Sequence, residues 1–380
     1  VMAPNGDPWH NRRLSVHSEP AAWDFPLAID HQVEHGGPIS LTVDLWGISA
    51  WSTLTPDHHV EVLLNGTMLA DQTFDGISAE QITATLSSDL LQNGENRLTV
   101  HLPADTGSDF EFVALDRYAV TYPRGFVAKE GELSFSATGE RFTVTGLPSS
   151  TVRIYRREGD QITHIAMPVA QPSPDGFSIS FVGGGRPANY QIVAEEAVKR
   201  PTILPRRPIR NLVEGSADYV IISHPDFIEG LAPLVRVRAA QGYEVDIVNV
   251  EELYTVYGHG IVDPAAIQAY VGDAIRQMGT DHFLLVGGDS YDYLNYLGAN
   301  SRSFIPSLYA QTHNLVRFSP ADPLLTDINA DGIPDAAIGR LPVRSSAELT
   351  SMIDKTLAYE RKPYGGTGIF SADQNDGVSY

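Results

Sequence analysis

The residues with the most suggestive spacing lie late in the chain, at Asp327-Ile328-Asn329-Ala330-Asp331-Gly332-Ile333-Pro334-Asp335. Oxygen-bearing side chains fall at positions 1, 3, 5 and 9 of this run, with Gly332 at 6 and Ile333 at 7, the pattern of calcium loops of the EF-hand kind. Alternate residues of a tight turn converge on one point, and glycine permits the bend. The bidentate Glu of position 12 is missing, because Ile338 stands there in a strand-like stretch, so the run is not an EF-hand. Two readings remain: a structural Ca2+ site made by Asp327, Asn329, Asp331, Ile333 and Asp335 with help from elsewhere, or an Asx turn without an ion. The expectation carried forward is Ca2+.

Other chemistry is thinner. The chain has no cysteine, which removes disulfides, thiolate metal sites and any cysteine nucleophile of its own. His259, in Gly258-His259-Gly260, reads as a connector in an exposed turn. His58 and His59 are adjacent on an expected strand, so their rings point to opposite faces and cannot share a metal. His101 and His164 fall on expected strands with no second ligand in register, and no metal set is expected among the 12 histidines. Ser290, within Gly288-Asp289-Ser290-Tyr291-Asp292, does not form a Gly-x-Ser-x-Gly elbow and reads as a surface turn. Gly183-Gly184-Gly185 has no following Lys, Ser or helix, so it is no phosphate loop.

The elements that must hold these residues come from a chain of 380 residues, enough for two to three domains. The formal charge, 26 − 47 = −21, argues against non-specific binding of nucleic acid or anionic lipid. No apolar run approaches the length of a membrane-spanning helix. With 42% hydrophobic residues, 33 Gly and 25 Pro, the chain is expected to be ordered and rich in turns. It starts at Val1 without a cationic, apolar leader and reads as a trimmed or mature segment.

About 200 residues at the front read as β-structure. Leu41, Val43 and Leu45 alternate with polar neighbours, and Val60–Leu64 runs through Asn65-Gly66 to Met68–Phe74, a hairpin signal because both turn residues accept φ > 0. Further strands are expected at Asn96–Leu102, Phe110–Leu115 and Tyr118–Tyr122, together a sandwich or jelly roll over residues 1–125. Leu133–Ala137, Phe142–Thr145, Val152–Arg156, Phe177–Phe181 and Tyr190–Val193 predict a second small sandwich, or a continuation of the first, over 126–198. Residues 199–216 form a basic, proline-rich linker: five cations and three prolines between Lys199 and Arg210 suit neither a helix nor a central strand.

From 217 to 380 the pattern changes. Strands are expected at Tyr219–Ser223, Tyr243–Val250, His282–Val286, Ala336–Ile338 and Thr367–Ser371. Helical spacing appears at Phe227–Ala240, from Pro264 (capped by Asp263) to about Met278, and at Ala347–Glu360 behind Ser345 and Ser346. Alternation of this kind predicts a doubly wound parallel sheet, with chemistry outside the carboxyl ends of the strands, here marked by His224, Asp289 and Asp373.

This half resembles the gingipain-type cysteine peptidases. The resemblance rests on Ala217–His224, on Gly242–Val250 with Glu251-Glu252-Leu253-Tyr254 and Asp263–Ile267, and on Phe283–Asp289, which is similar to a Leu-Leu-Val-Gly-Asp element with one extra Gly. Most specific are Asp335-Ala336-Ala337-Ile338-Gly339-Arg340-Leu341-Pro342, Lys355 and Tyr359-Glu360. It implies an incomplete caspase-like α/β domain whose His/Cys dyad cleaves peptide bonds, with Asp373 matching the acid that orients the histidine. In that family the Gly-His-Gly and Ala-Cys segments follow the acid, so His259 is not the catalytic histidine and this chain alone is expected to be inactive.

The resulting expectation is the N-terminal portion of an exported bacterial cysteine endopeptidase, secreted or at the cell surface. Its partners would be a polypeptide substrate and the rest of the catalytic domain, and its β-region would be prodomain-like. Arg206-Arg207 offers an Arg-preferring peptidase a processing site, against the alternative of a permanent spacer. The rival functions are a non-catalytic surface, adhesion or secretion-associated protein that retains the fold, and a sortase-like transpeptidase.

Overall fold

The structure, a computed structural model, describes residues 9–33, 36–165, 170–203, 209–293, 295–312 and 318–362. The chain divides between residues 205 and 206 into two compact units.

The first unit begins with eight strands: β1 (Arg12–Val16), β2 (Ala21–Ile29), β3 (Ile39–Gly47), β4 (His58–Leu64), β5 (Thr67–Phe74), β6 (Ala79–Leu86), β7 (Gly94–Leu102) and β8 (Glu111–Thr121). They form two antiparallel sheets, β1-β8-β3-β6 and β2-β7-β4-β5, which is the strand order of a jelly roll. Period-two alternation builds its core: Leu41, Val43 and Leu45 on β3, Val60, Val62 and Leu64 on β4, and Leu98, Val100 and Leu102 on β7 all face inward. Asn65 and Gly66 turn β4 into β5 with φ of 50° and 84°, as a tight hairpin requires.

One expectation needs correction here. Phe110–Leu115 and Tyr118–Tyr122 are not two strands but the single strand β8. Asp44 of β3 pairs with Arg117 and Leu45 with Leu115, so Asp116 is an extra residue that bulges the ladder. A bulge carrying Asp-Arg resembles a turn in the sequence, although pairing continues through it.

The rest of this unit is a seven-stranded antiparallel sandwich: β9 (Glu132–Ala137), β10 (Arg141–Leu147), β11 (Val152–Glu158), β12 (Gln161–Ile165), β13 (Gln171–Ser173), β14 (Gly176–Val182) and β15 (Ala188–Ala194). Its sheets run β10-β14-β13 and β12-β11-β15-β9. They close on their own core, in which the rings of Phe135, Phe142, Phe181 and Tyr190 pack against one another.

The second unit holds a four-stranded parallel sheet in the order β17-β16-β18-β21, made of β16 (Tyr219–Ser223), β17 (Val245–Asn249), β18 (His282–Val286) and β21 (Ala337–Leu341). A short ribbon, β19 (Tyr309–Ala310) with β20 (Ser319–Pro320), lies between β18 and β21 in the chain. Among the described residues this unit has four α-helices: α1 (Ala232–Ala240), α2 (Val250–Tyr257), α3 (Pro264–Met278) and α4 (Ser346–Glu360). Val220, Ile222, Phe283 and Leu285 pack with α2 and α3 on one face, whereas Ile221, Leu284 and Val286 pack with α1 and α4 on the other. The parallel strands thus read as continuous apolar runs because both faces are covered.

Local signals explain the helix ends. The Asp263 carboxylate accepts from Ala265 N (2.8 Å), Pro264 takes the first turn, and Gly279 stops α3 in a left-handed conformation. Ser345 caps α4, whose Leu349, Ile353 and Leu357 form one buried stripe. α2 was not among the expected helices, yet its signals are present: Asn249 caps it, two Glu fill its first turn, and Val250, Leu253 and Tyr254 are buried. Its eight residues give only two turns of periodicity. The expected strand at 367–371 lies outside the described residues.

Candidate functional site at the carboxyl rim of the parallel sheet

β16, β18 and β21 end in register, Ser223 beside Val286 and Val286 beside Leu341, so the segments that follow them share one rim. His224 comes first. It caps a short 3-10 turn, with Nδ1 3.2 Å from Asp226 N, and its Nε2 lies 3.0 Å from Arg302 Nη2. Phe304 packs edge-on against the imidazole at 5.0 Å between centroids. A neutral imidazole accepts at one nitrogen only, so one of these two donors is satisfied at a time. Burial holds the His224 pKa below its ordinary value; the Asp226 carboxylate opposes that shift and the Arg302 guanidinium reinforces it.

Arg302 lies 4.6 Å above the Phe304 ring and 3.1 Å from the Asp226 carboxylate. Arg344 approaches the same ring at 5.8 Å and donates to Arg302 O (2.9 Å). Two guanidinium groups therefore approach one aromatic ring beside His224.

Asp289, three residues beyond the end of β18, is a structural hub. It accepts from Ser303 Oγ (2.6 Å), Ser307 N (3.0 Å) and Tyr309 Oη (2.7 Å), tying the strand end to the segment that returns across the rim. Burial and the Asp289 carboxylate push the Tyr309 pKa upward, so this phenol stays protonated and donating. The extra glycine has a cause as well. Gly287 has φ +145°, and a Cβ there would stand 2.8 Å from the Phe304 Cβ. Gly288 in turn bridges Val343 O (2.9 Å) and Phe304 N (2.9 Å).

Arg340 of β21 locks the underside. It grips Asp322 with two hydrogen bonds (2.7 and 2.8 Å) and donates to the carbonyls of Gly287 (2.9 Å) and Ile305 (2.7 Å). Glu360, at the end of α4, makes a bidentate pair with Arg238 of α1 (2.7 and 2.9 Å), which holds its carboxyl below the usual range. The rim carries fixed donors and a neutral imidazole, but the chain supplies no thiol.

Asp373, the expected orienting acid, lies outside the described residues, as do Arg206 and Arg207. The loop from Asp327 to Asp335 is described. Its carboxylates cap its own amides: Asp327 accepts from Asp331 N (3.1 Å) and Gly332 N (2.9 Å), Asp331 from Ile333 N (2.8 Å), and Asp335 from Ile328 N (3.0 Å). Asn329 Oδ1 also accepts from Asp331 N (2.9 Å). The all-oxygen donor set suits Ca2+. In the present rotamers the three carboxylates are not gathered within 4.8 Å of one another.

The remaining histidines divide by face. His58 is fully buried beside Asp57 and Glu111, whereas His59 points to the opposite, outer face. His259 has φ +53° in the turn after α2, the connector expected of it. One expectation fails: His101 does have a partner in register, since Glu61 lies directly opposite on β4 and its Oε2 is 2.7 Å from His101 Nδ1. That register depends on the pairing of β4 with β7, which no local pattern encodes. Ser290 lies in a turn organised by the buried Asp292, whose carboxylate accepts from Tyr296 N (2.6 Å) and Leu297 N (3.1 Å).

Residues 213–377 match the model of peptidase family C25. No curated protein matches the chain. Among solved structures, dimeric latent PorU from Porphyromonas gingivalis superposes with a TM-score of 0.64 at 17% identity, over 95% of this chain and 37% of that one. The likeness is one of fold, and the chain spans little more than a third of that protein's length. Weaker matches are a protease (21% identity, TM-score 0.28, 40% of this chain and 29% of that one) and the CBM36-1 domain of a multidomain xylanase from the hindgut metagenome of Trinervitermes trinervoides (11%, TM-score 0.22, 32% and 85%). Both superpose too poorly to carry an argument.

Proposed function

We propose that this chain, whose residues 213–377 belong to peptidase family C25, the gingipain family, is the front portion of an exported cysteine endopeptidase. The observation that carries the reading is the agreement between that match and the parallel sheet whose strand ends form a common rim. In the proposed mechanism a thiolate encoded after Tyr380 attacks the scissile carbonyl, a histidine from the same later segment protonates the leaving amine, and Asp373 fixes that histidine's tautomer. Arg302 and Arg344 would supply positive charge at the rim, and Glu360–Arg238 would anchor the helix that leads to Asp373. The two sandwiches, 1–125 and 126–198, would form a prodomain-like front separable by cleavage at Arg206-Arg207. The loop from Asp327 to Asp335 would hold a structural Ca2+.

A non-catalytic role is the second reading. What favours it is that the described rim groups already satisfy one another, with Asp289 holding three donors and His224 held between Asp226 and Arg302.

The test is to extend the reading frame past Tyr380 and to express the protein from its native host. The endopeptidase reading expects a Gly-His-Gly and an Ala-Cys after Asp373, peptide hydrolysis blocked by a thiol alkylator, and a slower rate in Asp373→Asn with an unchanged melting temperature. A continuation without that pair and without peptide hydrolysis would establish the non-catalytic reading instead, whereas turnover indifferent to alkylation would refute the thiol mechanism. N-terminal sequencing of the mature protein decides whether the linker is cut.

A further inference from the structure

We propose that the outer face of the jelly roll carries a divalent-cation site suited to Zn2+, built from His59, Glu61 and Asp71. The site lies in the first unit, outside the family match and independent of the endopeptidase reading.

Its construction follows from strand geometry. Val60, Val62 and Leu64 of β4 point into the core, so His59 and Glu61 share the opposite face, two residues apart. The antiparallel register then sets Asp71 of β5 directly opposite Glu61. His59 Nε2 lies 2.8 Å from Asp71 Oδ1. One ligand atom from each of His59, Glu61 and Asp71 lies within 4.8 Å of the others, and among the described residues no other three His, Cys, Asp or Glu side chains converge in this way. An ion here takes the place of the hydrogen between His59 and Asp71.

The outer partners are those of a metal centre. Asp105 accepts from His59 Nδ1 (2.7 Å), which directs Nε2 at the site, and His101 Nδ1 lies 2.7 Å from Glu61 Oε2, which orients that carboxylate. A carboxylate behind a ligating histidine, and a donor behind a ligating carboxylate, orient the ligands and tune their basicity. Glu61 and Asp71 are like charges directly opposite on one sheet face, offset here by the imidazoles of His101 and His59, and a divalent cation held by both carboxylates would offset them as well.

The donor set selects the ion. One imidazole nitrogen and two carboxylates leave a fourth position open, which suits four-coordinate Zn2+. Ca2+ takes six to eight oxygens and gains little from an imidazole. β5 is the edge strand of its sheet, so a bound ion would clip the outermost hairpin to β4.

The experiment is a Zn2+ titration of the full chain by calorimetry after chelator treatment, with Ca2+ held in excess so that the 327–335 loop is not a competing site. The expected result is one Zn2+ per chain and a higher melting temperature for the tryptophan-monitored transition. Asp71→Asn removes binding, and because Asp71 is 65% exposed its melting curve in chelator should match the wild type. Asp105→Asn weakens binding by about 10–100-fold, the effect of losing an outer partner. Asp331→Asn leaves Zn2+ binding unchanged. Absence of saturable binding, or full binding retained in Asp71→Asn, would overturn the proposal.

Discussion

Replacing Arg340 with Met tests the account of the rim most directly. The guanidinium makes four hydrogen bonds, two of them to Asp322, and the two side chains are only 11% and 20% exposed. Met fills a similar volume but leaves a carboxylate and the Gly287 and Ile305 carbonyls without their donor. Breaking a buried ion pair from one side costs roughly 3–5 kcal/mol; Asp322 keeps some solvent, so the lower end, about 3 kcal/mol, is expected. With a urea slope of roughly 1–3 kcal/mol per molar, the transition midpoint should fall by about 1–3 M. The chain supplies its own separate reporters. All four tryptophans, Trp9, Trp23, Trp46 and Trp51, belong to the first unit, and among the described residues the four α-helices belong to the second. Urea unfolding followed by circular dichroism at the helical minimum should therefore move, whereas the tryptophan fluorescence transition should not. Arg340→Met with Asp322→Leu should recover most of the loss, because no orphaned charge remains. A midpoint shift below about 0.3 M in the single variant, or an equal shift in both probes, would refute the view that Arg340 locks the rim locally.

Three further outcomes follow from the same structure. Gly287→Ala should cost about 2–4 kcal/mol in the helix-monitored transition, since it combines a positive φ with a Cβ placed 2.8 Å from Phe304; a neutral result would mean the strand end relaxes freely. The pKa of His224 is lowered chiefly by burial, so the folded chain refuses a proton that the unfolded chain takes up near pH 6.5. Stability should fall as pH drops through that value, and His224→Asn, which keeps a capping acceptor for Asp226 N, should flatten the dependence between pH 7.5 and 5.5. If the loop from Asp327 to Asp335 binds Ca2+, millimolar Ca2+ should raise the melting temperature of the second unit and Asp331→Asn should abolish the rise; identical melting curves in Ca2+ and in chelator would leave the loop a plain turn.

The sequence by itself determined the elements whose cause is local. Alternation marked β3, Asn65-Gly66 marked the hairpin of β4 and β5, Asp263-Pro264 marked the start of α3 where the structure has it, and Ser345 marked that of α4 to within one residue. Strands alternating with helical segments from 217 onward marked the doubly wound parallel sheet, whose strands are buried on both faces. Tertiary structure decided whatever depends on register between distant strands. The bulge that merges two expected strands into β8 exists only opposite Asp44 and Leu45, 70 or so residues earlier in the chain. His224 and Arg302 meet because the parallel strands end level with one another and the segment after β18 returns to the end of β16, and nothing in 223–302 taken alone places them together. His59, Glu61 and Asp71 are brought to one spot by a hairpin, with His101 and Asp105 arriving from a third strand and its following loop. Local free energies select the conformation of a segment, but the coincidence of side chains across strands is set by the packing that buries the core, and only the folded chain contains it.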